Sequence, residues 1–338
     1  MVKLQDIADR TGYSISLISR VLNGDPTLTI PSSTKDRIIS VSQELGYQKR
    51  PFKRKHTYHR RKIALVHWYT AAREMADPYY VSIRIGAEDC LLSRNCEIIR
   101  IYQDQMNIDD LLKDVGKIDG LIGIGKFSNS EINHLRKYSD CIVFVDLYTR
   151  DPFVHCIRID FDDALHKAID YLYQNGHTKI GYLGGREKTS DGMEYPNMRR
   201  DAFEKYCNAY HIQYQNWVME DRFSTDSGYS MAKQLLANSE LPTAVFCAND
   251  QIALGALTCM HDNNIQVPHD LSIMGFNNDN AGTFSSPSLT TINAHPFSMG
   301  FMAAVMVTDI LPARKLSPII IVQSTDLIIR GTVRNLGE

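Results

Sequence analysis

The chain lacks any run approaching the roughly 18 uninterrupted apolar residues that a helical membrane span needs. Its opening residues, MVKLQDIADRTGYS, have no apolar core of the kind a secretory signal carries, so a cytoplasmic protein is expected. Seven cysteines (Cys90, Cys96, Cys141, Cys156, Cys207, Cys247, Cys259) are scattered, odd in number and never spaced as a CxxC pair. That pattern favours free buried thiols in a reducing compartment over disulfides or a zinc site. Also missing are a GxSxG elbow, a P-loop, a GxGxxG after the first strand and an HExxH helix. Gly181, Gly184 and Gly185 read as tight packing and a turn, and Asp162-Asp163 as first-turn charge favoured by a helix dipole. With no nucleophile and base to pair, neither catalysis, nor a cofactor, nor a metal is expected.

Charge is unevenly spread. Residues 1–62 hold thirteen Lys/Arg and five Asp/Glu, a net +8, leaving 24 basic and 34 acidic residues, or −10, for the remainder. A small basic head on an acidic body is the footprint of a nucleic-acid-binding module joined to something that is not one. In the head, Leu4, Ile7 and Ala8 share one face of a short helix over 3–10, Gly12 supplies a turn, and Ser14 stands as the N-cap of a second helix over 15–22. Leu17, Ile18, Val21 and Leu22 form the apolar stripe of that helix, with Ile15, Ser16, Ser19 and Arg20 opposite. A third helix is expected from about 33 to 45, with Ile38, Val41 and Leu45 inward and Gly46 as its stop. This spacing is a helix-turn-helix, whose second helix enters the major groove of duplex DNA. An aliphatic Ile15 on the solvent face suits a thymine methyl, Ser16 a base edge, and Arg20 a guanine or a phosphate. The competing reading is a three-helix bundle with one exposed isoleucine to no purpose.

Residues 48–62, QKRPFKRKHTYHRRK, carry eight Lys/Arg and cannot bury enough to fold alone, so they read as a basic linker that neutralises phosphates. From residue 63 to 338, short apolar runs at 63–68, 96–102, 118–124, 141–147, 156–160, 179–185, 243–249 and 271–276 alternate with helical patterns such as 80–92, 161–174, 199–210, 226–237 and 250–263. Such alternation predicts parallel sheets covered on both faces. Two series, before and after about residue 160, predict two lobes, with the chain crossing back through about 289–326. A ligand is expected in the cleft at the carboxyl ends of the strands. Polar residues that end strands or open helices are its candidate lining: Asp77, Tyr79, Asp146, Arg199, Asn249 and Asn277. Helix capping is the alternative for each Asp and Asn. Their recurrence favours a polyol site.

The segment LQDIADRTGYSISLISRVLNGDPTLTIPSSTKDRIISVSQELGY resembles, without gaps, the N-terminal domain of the LacI/GalR repressor family. DPYY, GHTKIGYLGG, RRDAF, FSTDSGY, PTAVFCANDQIALGAL and LSIMGFNND resemble the sensor domain of the same family. The resemblance implies an all-α helix-turn-helix head over 1–47, a hinge over 48–62, and a two-lobed, periplasmic-binding-protein-like α/β sensor over 63–338. It implies a repressor that reads double-stranded operator DNA as a homodimer, or a tetramer, under control of a small sugar. The DNA-binding set it implies is Ser14, Ile15, Ser16, Ser19, Arg20, Asn23, Lys53 and Arg54. Asp146, Arg199, Asn249 and Asn277 match effector-binding positions, Phe223 an aromatic sugar platform, and His295 a position from which a polar side chain reaches the pocket. Two departures stand out: the hinge has no Leu for the minor groove, leaving Phe52 as its one apolar wedge, and Asn277 replaces the usual Asp. DPYY, Asn277 and FSTDSGY are most similar to the galactose and β-galactoside branch. A purine-like effector, or a sugar-binding protein or enzyme without a DNA role, are the rival readings.

Overall fold

The computed structural model describes residues 2–22, 25, 28–47, 60–102, 109, 112, 115–149, 151, 153–189, 191–312 and 316–337. The chain forms two compact units, Met1–His59 and Arg60–Glu338. The expected hinge segment with Phe52, Lys53 and Arg54, and also Asn23, lies outside the described residues.

The first unit is built from α1 (Leu4–Thr11), α2 (Ile15–Leu22) and α3 (Ser32–Glu44). Gly12 ends α1 in the left-handed region, at φ 73°, and its N–H donates to the Ala8 carbonyl. This is the turn that a residue with a Cβ would strain. The Ser14 hydroxyl accepts the Leu17 N–H at 3.2 Å, capping α2. Ile7, Ile18, Val21 and Ile38 are buried at the centre, with Leu4, Ala8, Leu17, Leu22 and Leu45 packed around them. Three short helices therefore share one small core.

The second unit carries two six-stranded sheets. In the first lobe β1 (Lys62–His67), β2 (Glu97–Ile101), β3 (Gly120–Ile124), β4 (Ile142–Val145), β5 (His155–Ile159) and β11 (Ile320–Gln323) lie in the order β11-β5-β4-β3-β1-β2. In the second, β6 (Ile180–Gly185), β7 (Val218–Asp221), β8 (Ala244–Cys247), β9 (Ser272–Asn277), β10 (Thr290–Asn293) and β12 (Asp326–Ile328) lie in the order β12-β10-β9-β8-β6-β7. Helices α4 (Ala71–Met75), α5 (Pro78–Ser93), α6 (Asn129–Leu135) and α12 (Pro296–Val305) serve the first lobe. Helices α7 (Phe161–Gln174), α8 (Met198–Ala209), α9 (Thr225–Leu236), α10 (Asp250–Asp262) and α11 (Asn280–Thr283) serve the second. The chain crosses between lobes at Asp160, at Ala294-His295 and at Ser324-Thr325.

All pairings are parallel, as expected, except β10 with β12, where Ile292 faces Leu327 in antiparallel register. The third crossing explains this. β11 delivers the chain to the cleft end of the first lobe, and with no helix between, β12 enters the second sheet from that same end and runs backwards. The connections within each sheet instead travel back before re-entering it, along a helix in most cases and along the loop after β4 in one, which restores the parallel direction.

The first lobe depends on close contact between α5 and α12. A Cβ on Gly300 would lie 1.8 Å from the Ile83 carbonyl oxygen, and one on Gly86 2.0 Å from that of Phe297. Both obstacles are backbone, so neither can step aside. Gly300→Ala is therefore expected to cost about 3 kcal/mol or more. Thermal unfolding should show a Tm lowered by about 6 °C or more. An unchanged Tm would mean the two helices are free to separate.

Candidate functional site

On the first unit, Ile15 is 43% exposed although the residues it neighbours supply the core. Ser14 and Ser16 are exposed beside it and Ser19 is half-buried. Arg20 lies on the same helix with its Nε 2.7 Å from Asp25 Oδ2. The structure thus brings Ser14, Ile15, Ser16, Ser19 and Arg20 onto one short helix, with an apolar side chain kept in solvent among polar ones.

In the second unit the carboxyl ends of both sheets meet at a cleft. Asp146 follows β4 with φ 62°, a left-handed conformation that turns its side chain into the interior. Its Oδ2 accepts from the Tyr80 hydroxyl at 2.8 Å and from Lys126 Nζ at 2.5 Å, and its carbonyl takes a second Lys126 bond at 2.9 Å. Oδ1 is buried and has no hydrogen-bond partner. Across the cleft Arg199, in the first turn of α8, is buried among three rings, its guanidinium carbon 4.6 Å from the Phe161 centroid, 5.1 Å from Phe276 and 5.2 Å from Phe223. Burial opposes its charge, and Glu187 and Asp146 outweigh burial, raising the Arg199 pKa. Its Nε also has no partner, nor does Oδ1 of buried Asn277, which sits at φ 113° on the end of β9. A buried polar atom without a partner costs on the order of 1–3 kcal/mol. Of the seven such atoms among the described residues of this unit, those of Asp146 and Arg199 belong to charged groups electrostatically coupled across one cleft, which marks a place suited to a polar ligand.

Two cavities follow. An inner chamber of about 20 Å³ is lined by Lys126, Tyr148, Phe161, Glu187, Tyr195 and Arg199, among others. An outer one of about 860 Å³ opens between Trp68, Tyr69 and Asp77 on one lobe and Arg222, Phe223 and Gln251 on the other. Phe223 borders both. The lobes touch through Gln251 Nε2, which donates to the Ala76 carbonyl at 2.8 Å, and through the Tyr195 hydroxyl, which donates to the Tyr148 carbonyl at 3.2 Å. Lys126 Nζ reaches to 3.9 Å from Glu187 Oε2, so its charge is shared by both lobes.

Of the residues expected here, Asp146, Arg199 and Phe223 converge, and Asp77 lines the outer cavity. The Asp77 carboxylate also caps α5 by accepting the Tyr79 N–H at 3.1 Å. Tyr79 is buried with its hydroxyl 3.8 Å from the Met299 sulfur; the next residue, Tyr80, is the one that reaches Asp146. Asn249 is buried and caps α10, its Oδ1 accepting the Ile252 N–H at 2.9 Å. His295 stands apart, on the second crossing, with Nε2 2.7 Å from Asp326 Oδ2 near the third. Lys126, Glu187, Tyr148, Phe161 and Tyr195 were missed by the sequence reading. Lys126 had a usable signal, since it follows the apolar run 118–124 as Asp146 follows its own.

Burial pushes Asp77, Asp250 and Asp279 up to about 7, with Asp279 further raising Asp77 from the opposite lobe, and Asp250 raising Asp279. A carboxyl that holds its proton more tightly folded than unfolded stabilises fully at acid pH, and this contribution is lost as pH climbs from the ordinary value of 3.8 towards 7. Asp279→Asn should therefore raise Tm at about pH 8 by a few degrees and leave it unchanged at about pH 4. Melting curves across that window check it, and an equal shift at both ends would contradict the assignment.

Residues 3–49 match the family model for bacterial regulatory proteins of the lacI family, and residues 169–333 match that for a periplasmic binding protein-like domain. The HTH-type transcriptional regulator GalR of Streptococcus thermophilus is 32% identical over 340 residues, covering 99% of each chain. This chain belongs to the lacI family. The lacI-family regulator is also 30% identical to the transcriptional repressor MelR of Bacillus subtilis, over 98% of this chain and 97% of the relative. Its fold is that of a transcriptional regulator CelR–cellobiose complex (TM-score 0.71, 22% identity, 98% and 100% covered) and of a lac repressor dimer bound to operator and an anti-inducer (0.70, 20%, 98% and 99%). The regulator is thus a DNA-binding transcriptional regulator, with a helix-turn-helix unit and a two-lobed α/β unit. Among its described residues, no helix is long and apolar enough to cross a membrane.

Proposed function

We propose that this regulator is a repressor that holds operator DNA as a homodimer and releases it when a sugar, galactose or a galactoside, occupies the cleft. The carrying observation is that Asp146 and Arg199 face one cleft: two buried, electrostatically coupled charged groups from opposite lobes, each keeping a polar atom without a partner, with the rings of Phe161, Phe223 and Phe276 around Arg199. Hydroxyl groups in several directions and an apolar ring face are what such a set accommodates, and a sugar offers both. Relatives point the same way, one titled as a cellobiose complex and one named a repressor. The dimer is supported by apolar surface on the first lobe: Ile85 and Leu92, seven residues apart on α5, are 47% and 59% exposed, near Phe297 at 42% on α12. Two helix-turn-helix heads would then read the two halves of a pseudo-palindrome. The effector acts only through a difference in affinity between two lobe arrangements. We infer binding without turnover: among the described residues no nucleophile and base are paired in the cleft.

The test is fluorescence anisotropy of a labelled operator with the full-length protein, titrated with galactose, galactosides, other sugars and purines. Release by a galactoside supports the reading, release by a purine alone replaces the effector, and no operator preference over random duplex removes the DNA role.

A further inference from the structure

We propose that the effector is a neutral oligosaccharide rather than a single hexose, with the outer cavity holding the unit or units beyond the one met by Asp146 and Arg199; this rests on the sugar reading above. The two chambers differ in room. The inner one keeps about 20 Å³, space for about one water, so a hexose ring enters it only as the lobes part. The outer one offers about 860 Å³ in the same arrangement, within the range of sites that enclose whole small molecules. Phe223 forms the throat between them. A ligand threaded past that ring meets both.

The outer lining has the composition a polyol needs and a phosphate would not choose. Arg73, Arg186, Lys188 and Arg222 are balanced by Asp77, Glu194, Glu220 and Asp221, with the Gln251 amide between. Four cations meet four acidic residues, of which Asp77, held up to about 7, carries part of its charge at neutral pH, so the lining offers donors and acceptors with little net field to attract an anion. Trp68 and Tyr69 stack with centroids 4.3 Å apart, and the Arg73 guanidinium covers Tyr69 at 4.0 Å. That cation is displaceable from the ring by a sugar face.

One wall is a separate device. After β6 the chain makes a hairpin arm in which Lys188 pairs antiparallel with Glu194, the Thr189 N–H donates to the Met193 carbonyl at 2.9 Å, and Gly192 turns at φ 82°. The Tyr195 N–H closes its base on the Glu187 carbonyl at 2.9 Å, and the Tyr195 hydroxyl bonds Tyr148 of the other lobe. The arm therefore exists as a wall of the outer cavity while being pinned to the opposite lobe. A ligand long enough to touch it is felt by the closure of the whole cleft.

Isothermal titration of the full-length protein with galactose, lactose, melibiose and raffinose tests this. At least one di- or trisaccharide is expected to bind about tenfold or more tighter than galactose. The double variant Lys188→Ala/Glu194→Ala is expected to cut that advantage to about threefold or less while galactose affinity stays within about twofold. Galactose binding as tightly as every longer sugar overturns the proposal and leaves the sugar reading standing. A length preference untouched by the double variant overturns the assignment of this cavity. If none of the sugars binds, the sugar reading itself falls and takes this inference with it.

Discussion

Replacing Ile15 and Ser16 together is expected to redirect the protein to a different operator, with little change in its affinity for random duplex. The small core of the first unit is Ile7, Ile18, Val21 and Ile38, and Ile15 contributes nothing to it while leaving 43% of its surface in water. Ser16 is exposed beside it, and the cap of α2 is made by Ser14, so both positions change without loosening the helix. The N-terminal residues of such a helix are those that meet base edges. An aliphatic group and a hydroxyl read a thymine methyl and a neighbouring polar edge, each contact discriminating by about 1–3 kcal/mol. Losing both should lower the preference for the original site by about thirtyfold to ten-thousandfold. Selection from a randomised duplex pool, followed by gel-shift titration at several salt concentrations, separates the outcomes. A new preferred sequence with the salt slope unchanged is expected, since the phosphate contacts stay in place. Uniformly weaker binding to every sequence would make these two residues supports of the helix rather than readers.

The boundaries of α2, predicted at 15–22, were legible because one apolar face, one polar face and a Ser cap compete with nothing else in so short a unit. The same holds for strands buried on both faces: β3, β6, β8 and β9 are continuous apolar runs because each is covered from two sides. Four strands left no such trace. β7 and β12 are short edge strands with little burial, and β11 alternates, leaving Ile320 and Val322 in solvent. β10 hides for another reason: its Thr290 and Thr291 are wholly buried, and their hydroxyls are satisfied by the Arg330 N–H and by Asp250. The rule that singles out polar residues ending strands picked Asp146 and Asn277, both of which the structure buries with an unpartnered oxygen. It could not rank Tyr79 against Tyr80, because consecutive residues on a helix point about 100° apart and only the tertiary fold says which looks inward. For Asn249 it offered capping as the alternative, and the structure shows that cap, but it could not see that His295 is held by Asp326. That partner is remote in sequence.

Arg199→Met should abolish the response to sugar while operator binding and fold survive. The guanidinium lies buried between three rings, so methionine keeps an apolar neighbour for Phe161, Phe223 and Phe276 at similar length. Among the described residues Arg199 makes no direct ion pair; removing a buried charge is usually ruinous, at about 3–5 kcal/mol, only where it strands an opposite charge. Here Asp146 is not stranded: Lys126 Nζ lies 2.5 Å from its Oδ2 and the Tyr80 hydroxyl 2.8 Å away. The loss therefore falls on the ligand, which forfeits charge-assisted hydrogen bonds worth about 1.5–3 kcal/mol each. Affinity should drop by about a hundredfold. Asp146→Leu makes the instructive contrast. It leaves Lys126 buried with Glu187 at 3.9 Å as its nearest carboxylate, so it should lower Tm as well as sugar affinity. Melting curves, sugar titrations and operator anisotropy on the two variants distinguish them. If Arg199→Met unfolds the protein while Asp146→Leu does not, the arginine is the structural member of the two, and the polar atom it keeps unpartnered is not there for a ligand.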